Sequence, residues 1–396
     1  MLKLRFICVM SMFCYLPLNA SADMSAEVGL ELRYFSENGL SGQDKFHPSL
    51  RTELEFTESW GDDSFELVVF GRADKNDSER SHLDIREAAW THVGDEWELK
   101  AGITKVFWGV TESRHLVDVI NQSDVVENLD GEDKLGQPMT KLSFEKDWGT
   151  VDLFWLPYFR ERTFPALDGR LGLPLEVDVD HAVYQSSAEA WHNDFAFRYA
   201  HYIDDLDFAI SHFSGTSRDP VMAFNNSFTD PKFIPTYLTV DQTGLEIQYL
   251  YEDWILKFEG ITNSGVGHRY SAAVFGFEYT QVGVFESRAD LGWILEYLFD
   301  DRKKAAPHSF ERDVFAGWRY AFNDADSSEI LTGIIYDPQT NERVYSFEAN
   351  KRIANDLKII LEARVFDGAD TNENPDKKTW FVQDEDYVQV ELVKYF

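Results

Sequence analysis

The sequence predicts an all-β chain closed into a single transmembrane antiparallel β-barrel of about 18 strands, with 16 also compatible. Three observations point there. Apolar and polar residues alternate with a period of two along most of the chain, and the connections between those segments alternate between short and long. Aromatic residues make up 15% of the chain, with 11 Trp, 17 Tyr and 31 Phe, a supply that suits the girdles flanking the apolar band of a membrane barrel. Beyond residue 22 there is no run of about 18 apolar residues, so a helical span is excluded.

At the N-terminus, Lys3 and Arg5 precede an apolar stretch from Phe6 to Leu18, and Ala20-Ser21-Ala22 supplies small residues at a cleavage point. Residues 1–22 therefore read as an export signal and residues 23–396 as one barrel domain. Cys8 and Cys14 both fall in the signal, so the exported chain is expected to use no cysteine chemistry, no metal and no cofactor. Without its signal the chain carries 35 Lys+Arg against 70 Asp+Glu. That balance argues against nucleic acid as a partner.

The strands follow in order. Val28, Leu30, Leu32 and Tyr34 alternate with Glu31 and Arg33; Leu50, Leu54 and Phe56 alternate with Arg51, Glu53 and Glu55. Trp97, Leu99, Ala101 and Ile103 alternate with Glu98 and Lys100, and Trp254, Leu256 and Phe258 flank Lys257 and Glu259. Ala289, Leu291, Trp293, Leu295 and Tyr297 flank Arg288, Asp290 and Glu296, and Lys358, Glu362 and Arg364 lie opposite Leu357, Ile359, Leu361, Ala363 and Val365. Such segments start near 26, 49, 64, 82, 95, 137, 149, 193, 205, 242, 253, 270, 288, 312, 328, 343, 356 and 386.

Short connections built from turn residues, such as Asp204-Asp205, Glu252-Asp253 and Asn355-Asp356, are expected on the periplasmic side. Long ones, near 36–48, 74–81, 105–136, 159–192, 214–239, 300–311 and 367–385, are expected outside. A propeller would instead show repeats of about 40 residues, and none is present. The chain ends on Phe396, whose strand face holds Val388, Val390 and Leu392 and is interrupted by Lys394. A closing aromatic of this kind resembles the assembly signal of bacterial outer-membrane barrels, which implies the barrel-assembly machinery as a partner.

With the apolar faces on lipid, the alternate positions line the lumen. Arg33, Arg51, Glu53, Arg86, Lys100, Lys257, Glu259, Arg288, Asp290, Lys358, Glu362 and Arg364 are the expected pore lining. Inward acids and bases nearly balance, so most of the negative charge falls to loops and turns. Opposite charges on adjacent strands would pair across the wall. Acidic loops would gather cations at the mouth and meet lipopolysaccharide through bridging divalent ions, beside the surrounding outer-membrane lipids.

Residues 105–136 carry the sharpest local pattern. Leu116, Val117 and Ile120 fall at helical spacing opposite Arg114, His115, Asp118 and Asn121, and Asp124 with Glu127 reads as a capping pair opening a second short turn. An apolar stripe needs a surface to bury it, so this loop is expected to be partly helical and folded into the barrel. There it would form a constriction lined by Arg114, His115, Asp118, Asp124 and Glu127. In the next long loop, Arg160-Glu161-Arg162 is expected to pair within itself.

The run from Trp97 to Asp124, with Gly102, Trp108 and Gly109 before Val117, Asp118 and Asn121, resembles a group of porin-like proteins of proteobacterial outer membranes. Beyond that stretch the resemblance is one of barrel architecture. It implies transport through an outer-membrane channel and leaves the solute open. Phosphate-selective and alginate-export channels of the broader porin superfamily are rich in basic residues where this lumen is balanced.

The expected function is passive passage of small polar or amphipathic solutes, limited by the 105–136 loop, with association into a homotrimer left open. A plugged structural or adhesive barrel is the alternative. An outer-membrane lipid hydrolase or protease ranks behind both, since no Gly-x-Ser-x-Gly pattern occurs and no catalytic residue is assigned.

Overall fold

The computed structural model describes residues 21–306, 311–368 and 377–396. Residues 1–20, almost all of the expected export signal, lie outside the described residues, as do 307–310 and 369–376 in two expected outer loops. The described chain forms β1 (Ser21–Phe35), β2 (Phe46–Trp60), β3 (Asp63–Asp74), β4 (Leu83–Gly94), β5 (Trp97–Thr104), β6 (Gln137–Lys146) and β7 (Gly149–Leu156). Then come β8 (Val183–Tyr184), β9 (Asp194–Ile203), β10 (Leu206–Thr216), β11 (Val221–Phe224), β12 (Phe233–Tyr237), β13 (Thr239–Tyr251) and β14 (Trp254–Gly265). The last seven are β15 (Gly267–Gln281), β16 (Asp290–Asp300), β17 (Val314–Ala321), β18 (Glu329–Tyr336), β19 (Arg343–Ala354), β20 (Leu357–Asp367) and β21 (Tyr387–Tyr395).

Eighteen of these strands make one sheet in chain order, and β1 closes it by pairing antiparallel with β21 from Glu27↔Tyr395 to Phe35↔Tyr387. Closure leaves no unpaired edge, which a sheet surrounded by hydrocarbon requires. β8, β11 and β12 form a separate small sheet among the outer loops. Every strand start read from the alternation lies within five residues of the observed one.

The period of two also sorts the faces. Leu30, Leu50, Leu54, Phe195, Ile210, Leu256, Phe275, Leu295 and Val390 are all exposed, forming the outward apolar belt that only lipid can cover. Trp148, Tyr202, Tyr251 and Trp254 are exposed beside the short turns, and Trp148 stacks on Tyr199 with centroids 6.1 Å apart. Tyrosine and tryptophan at that level belong at a membrane interface. Phe396 follows β21, exposed, and pairs with β1 through its amide to the Ala26 carbonyl at 2.9 Å. The closed wall, apolar belt and aromatic girdle are those of an outer-membrane barrel.

Two connections break the alternation of lengths. Val266 alone joins β14 to β15 at the outer end, held between Gly265 (φ 120°) and Gly267 (φ 72°), conformations that a side chain would strain. At the inner end β15 and β16 are separated by residues 282–289, including a 3₁₀ turn at Val284–Glu286. Arg288 therefore corrects an expectation: it is exposed in that connection and not on the lumen wall. Its apparent alternation with Asp290 runs on across the place where the chain turns.

A charge placed on the lipid face should be costly. Leu295→Arg, midway along β16, is expected to destabilise the folded barrel by about 2–4 kcal/mol, measured by denaturant unfolding in lipid vesicles.

Candidate functional site

The 105–136 loop does fold into the barrel, and its apolar residues build the interior core. Trp108, Leu116, Val117, Val119 and Ile120 pack on the inward side chains Met139, Phe154, Leu156, Phe213, Val240, Ile261, Val274, Ile294 and Phe315 of the wall. Burial of such side chains stabilises by about 1.5–3 kcal/mol each. The backbone between is irregular, and no helix is assigned anywhere in 105–136, which corrects the expected helical part. The spacing of Leu116, Val117 and Ile120 reports a buried face; the amides before them are satisfied elsewhere.

Two wall carboxylates take those amides. Glu259 on β14, fully buried, accepts from the amides of Val110 (2.7 Å) and Thr111 (2.9 Å), from Thr111 Oγ1 (2.7 Å) and from the Val117 amide (3.3 Å). Glu296 on β16 accepts from the amides of Glu112 and Ser113, both at 2.8 Å, and from Ser113 Oγ at 2.5 Å. Hydrogen bonds to carboxylates are among the stronger ones, so these contacts fasten the loop to the wall. Gly109 makes the approach feasible: its φ is 135°, and a Cβ there would meet Glu259 Oε1 at 2.9 Å and His115 Nδ1 at 2.8 Å.

The base of the loop is pinned by its own polar residues. Asn121 accepts the Val106 amide at 2.8 Å and donates to the Thr104 and Leu135 carbonyls at 2.9 Å each. Asp118 accepts from the Trp108 amide at 3.4 Å and pairs with Lys134 at 3.1 Å. Within the motif, Trp108, Gly109, Asp118 and Asn121 thus shape and anchor the loop, while Gly102 lies in β5 against the backbone of Ala88 and Ala89 on β4.

The loop forms one side of a vestibule of about 1680 Å³ at the outer end, with strands β13 to β20 opposite. Of the expected constriction residues, Arg114, His115 and Asp118 line it. Arg114 has Asp219 and Asp300 as charged neighbours, and burial lowers its pKa. His115 pairs with Glu132 at 3.0 Å and lies 3.8 Å from Glu259. Burial disfavours its charge, but those two carboxylates prevail and raise its pKa to about 10.

Asp124 and Glu127 lie elsewhere, buried where the loop meets β3 and β4. Asp124 receives Arg86 at 2.5 Å and Thr163 Oγ1 at 2.6 Å, and Glu127 receives Arg72 at 2.6 Å. Arg72 and Arg80 also bind Glu31, at 2.9 and 2.7 Å. Their side chains are engaged by these arginines and Thr163, so the expected capping role is replaced by anchoring.

The expected lining divides the same way. Arg364 borders the vestibule, paired with Glu348 at 2.7 Å and Asp130 at 3.2 Å. Arg33, Arg86, Glu259 and Glu362 face inward and hold loop or neighbouring wall: Arg33 donates to Gln389 at 2.7 Å and Glu362 receives Asn128 at 3.3 Å and the Tyr387 hydroxyl. Arg51 pairs with Glu391 (2.5 Å) and Glu27, with Glu53 inward two residues along β2. Lys100 pairs with Glu66 at 3.5 Å and Lys257 with Glu278 at 3.4 Å. Lys358 is half-buried at the turn end of β20, and Asp290 caps the Gly283 amide at 2.9 Å.

The arginines of the next outer loop do not pair with Glu161, contrary to expectation. Arg160 binds Asp84 and Arg162 binds Asp219, at 2.7 and 2.6 Å, while Glu161 accepts the Tyr184 hydroxyl. Adjacent residues in an extended segment point apart, so each finds a different neighbour.

Removing one anchor charge should loosen the loop. Glu259→Gln is expected to lower stability by about 2–3 kcal/mol and to speed hydrogen exchange at the amides of 110–117. The stability that His115 adds, taken as the difference from His115→Gln, should be full below pH 6.5 and lost as pH rises through 10. Denaturant midpoints measured across that range check the sign.

No family model and no curated relative matches the sequence. Solved structures do match. A BenF-like porin from Pseudomonas fluorescens Pf-5 is 10% identical with a TM-score of 0.54, covering 96% of this chain and 98% of that one. OccD3 (OpdP) of Pseudomonas aeruginosa is 11% identical with a TM-score of 0.53, covering 95% and 90%. Wzi, described as a carbohydrate-binding β-barrel of the Escherichia coli outer membrane involved in group 1 capsule assembly, is 9% identical with a TM-score of 0.54, covering 95% and 84%. What this chain shares with all three is the fold, a closed β-barrel.

Proposed function

We propose that the chain, exported and cleaved after Ala22, is an outer-membrane channel for passive passage of small polar or amphipathic solutes, narrowed by residues 105–136. The observation that carries this reading is the vestibule: about 1680 Å³ bounded on one side by the anchored loop and lined by both signs of charge. Salt-paired walls do not select strongly for either ion. The similarity to a porin supports passage through a barrel of this shape. Lipids and lipopolysaccharide surround the barrel in this reading, Phe396 addresses it to the assembly machinery, and three copies are one assembly it accommodates. No residue is assigned a catalytic role.

Selectivity should change with pH through two outer carboxylates on the vestibule wall. Enclosure by the barrel pushes Asp130 up to about 6 although Arg364 opposes it. Burial, with Asp337 and Glu311 beside it, pushes Asp313 up to about 8. Both gain negative charge as pH rises from 5 to 9, so cation preference increases with pH.

A second reading, a plugged structural or adhesive barrel, is favoured by the volume of lumen the loop occupies and by the fold shared with carbohydrate-binding Wzi. Single-channel recording in planar bilayers separates the two. The channel reading expects steady ohmic steps, with reversal potentials shifting toward cations between pH 5 and 9 and the upper part of that shift lost in Asp313→Asn. Silence from barrels of heat-modifiable gel mobility would reject it in favour of the plugged form.

A further inference from the structure

We propose that His82, Asp124 and Glu127 form a binding site for a divalent transition-metal ion of the zinc class, joining the β3–β4 loop to the inward-folded loop. His82 is far in sequence from Asp124 and Glu127, yet one donor atom from each of the three lies within 4.8 Å of the others. His82 Nε2 is 3.7 Å from Asp124 Oδ2 and 3.7 Å from Glu127 Oε1. An ion between atoms so spaced would sit roughly 2.1–2.4 Å from each, close to zinc–nitrogen and zinc–oxygen bond lengths.

The histidine is prepared for this role. Its backbone is fixed by paired hydrogen bonds with Arg72, at 3.0 and 2.9 Å, and its ring packs on Phe70 with centroids 5.6 Å apart. Nδ1 lies 3.1 Å from the Arg80 carbonyl, which can only accept, so Nδ1 is the donor there and the ring turns Nε2 inward toward the two carboxylates. Nε2 is buried and has no hydrogen-bond partner. At 3.7 Å neither carboxylate oxygen is within hydrogen-bond reach of Nε2, so the space between the three atoms is left to be bridged. A cation held by all three bridges that gap.

The surrounding groups act as outer-shell supports. Arg86 and Thr163 orient Asp124, and Arg72 orients Glu127 with Nε at 3.1 Å from Oε1 and Nη2 at 2.6 Å from Oε2. A carboxylate oxygen has two lone pairs, so one can accept from a guanidinium while the other binds a metal. One nitrogen and two oxygens suit zinc, with a fourth position for water; calcium, which takes six to eight oxygens, is not served. The ion would tie residue 82 to residues 124 and 127 and so stiffen the loop, independently of whether the barrel conducts.

The test titrates the refolded, chelator-treated barrel in detergent at pH 7 with Co²⁺, followed by its ligand-field absorption, and with Zn²⁺ by calorimetry. The expected result is one ion per barrel, with affinity at least tenfold weaker in His82→Gln and in Glu127→Gln. His181→Gln, which alters an exposed histidine 2.9 Å from Asp178, should bind as the unaltered chain does. Absence of saturable one-to-one binding in the unaltered barrel overturns the proposal whatever the variants do. Binding that persists in His82→Gln, in barrels of normal heat-modifiable mobility, overturns it as well.

Discussion

Glu259 and Glu296 are tolerated inside the barrel wall because a folded-in loop brings its own amides to them. A lone carboxylate in an apolar interior costs several kcal/mol. Here each is surrounded by donors from residues 110–117, and the loop backbone, which forms no regular structure there, satisfies its amides in the same contacts. The interaction is mutual: without the loop the wall charges face open lumen, and without them the loop amides lack partners. Trp108, Val117 and Ile120 then bury against the wall and exclude water from the joint.

This anchoring divides the lumen into two chemical regions. Toward β1–β4, arginines and acids interlock in buried networks around Glu31, Asp124 and Glu127. Toward β13–β20 the wall stands away from the loop and encloses the vestibule, where charges of both signs remain in reach of water. The surface there is charged but carries both signs in similar number.

Much of the barrel was legible in the sequence because the feature that builds it is local. A period of two records which face meets lipid, so Leu30, Leu54 and Leu295 identify the outside without knowledge of their neighbours. Arg288 misled because alternation continues across the turn at 282–289. The loop's burial was legible from Leu116, Val117 and Ile120. Its conformation was not, since its amides are satisfied by residues 142 to 184 positions away in the chain. Asp124 and Glu127 resemble a helix cap by spacing, yet arginines on β3 and β4 engage them. His82 offered no signal at all, because no metal spacing links it to residues beyond 120.

The most direct test of the account is the single-channel conductance of the barrel after excision of residues 111–134, compared with the intact chain in the same bilayer. If the anchored loop narrows an open pore, both conduct and the excised form passes larger steps. Equal steps from both, in barrels of equal heat-modifiable mobility, would contradict the claim that this loop sets the bore.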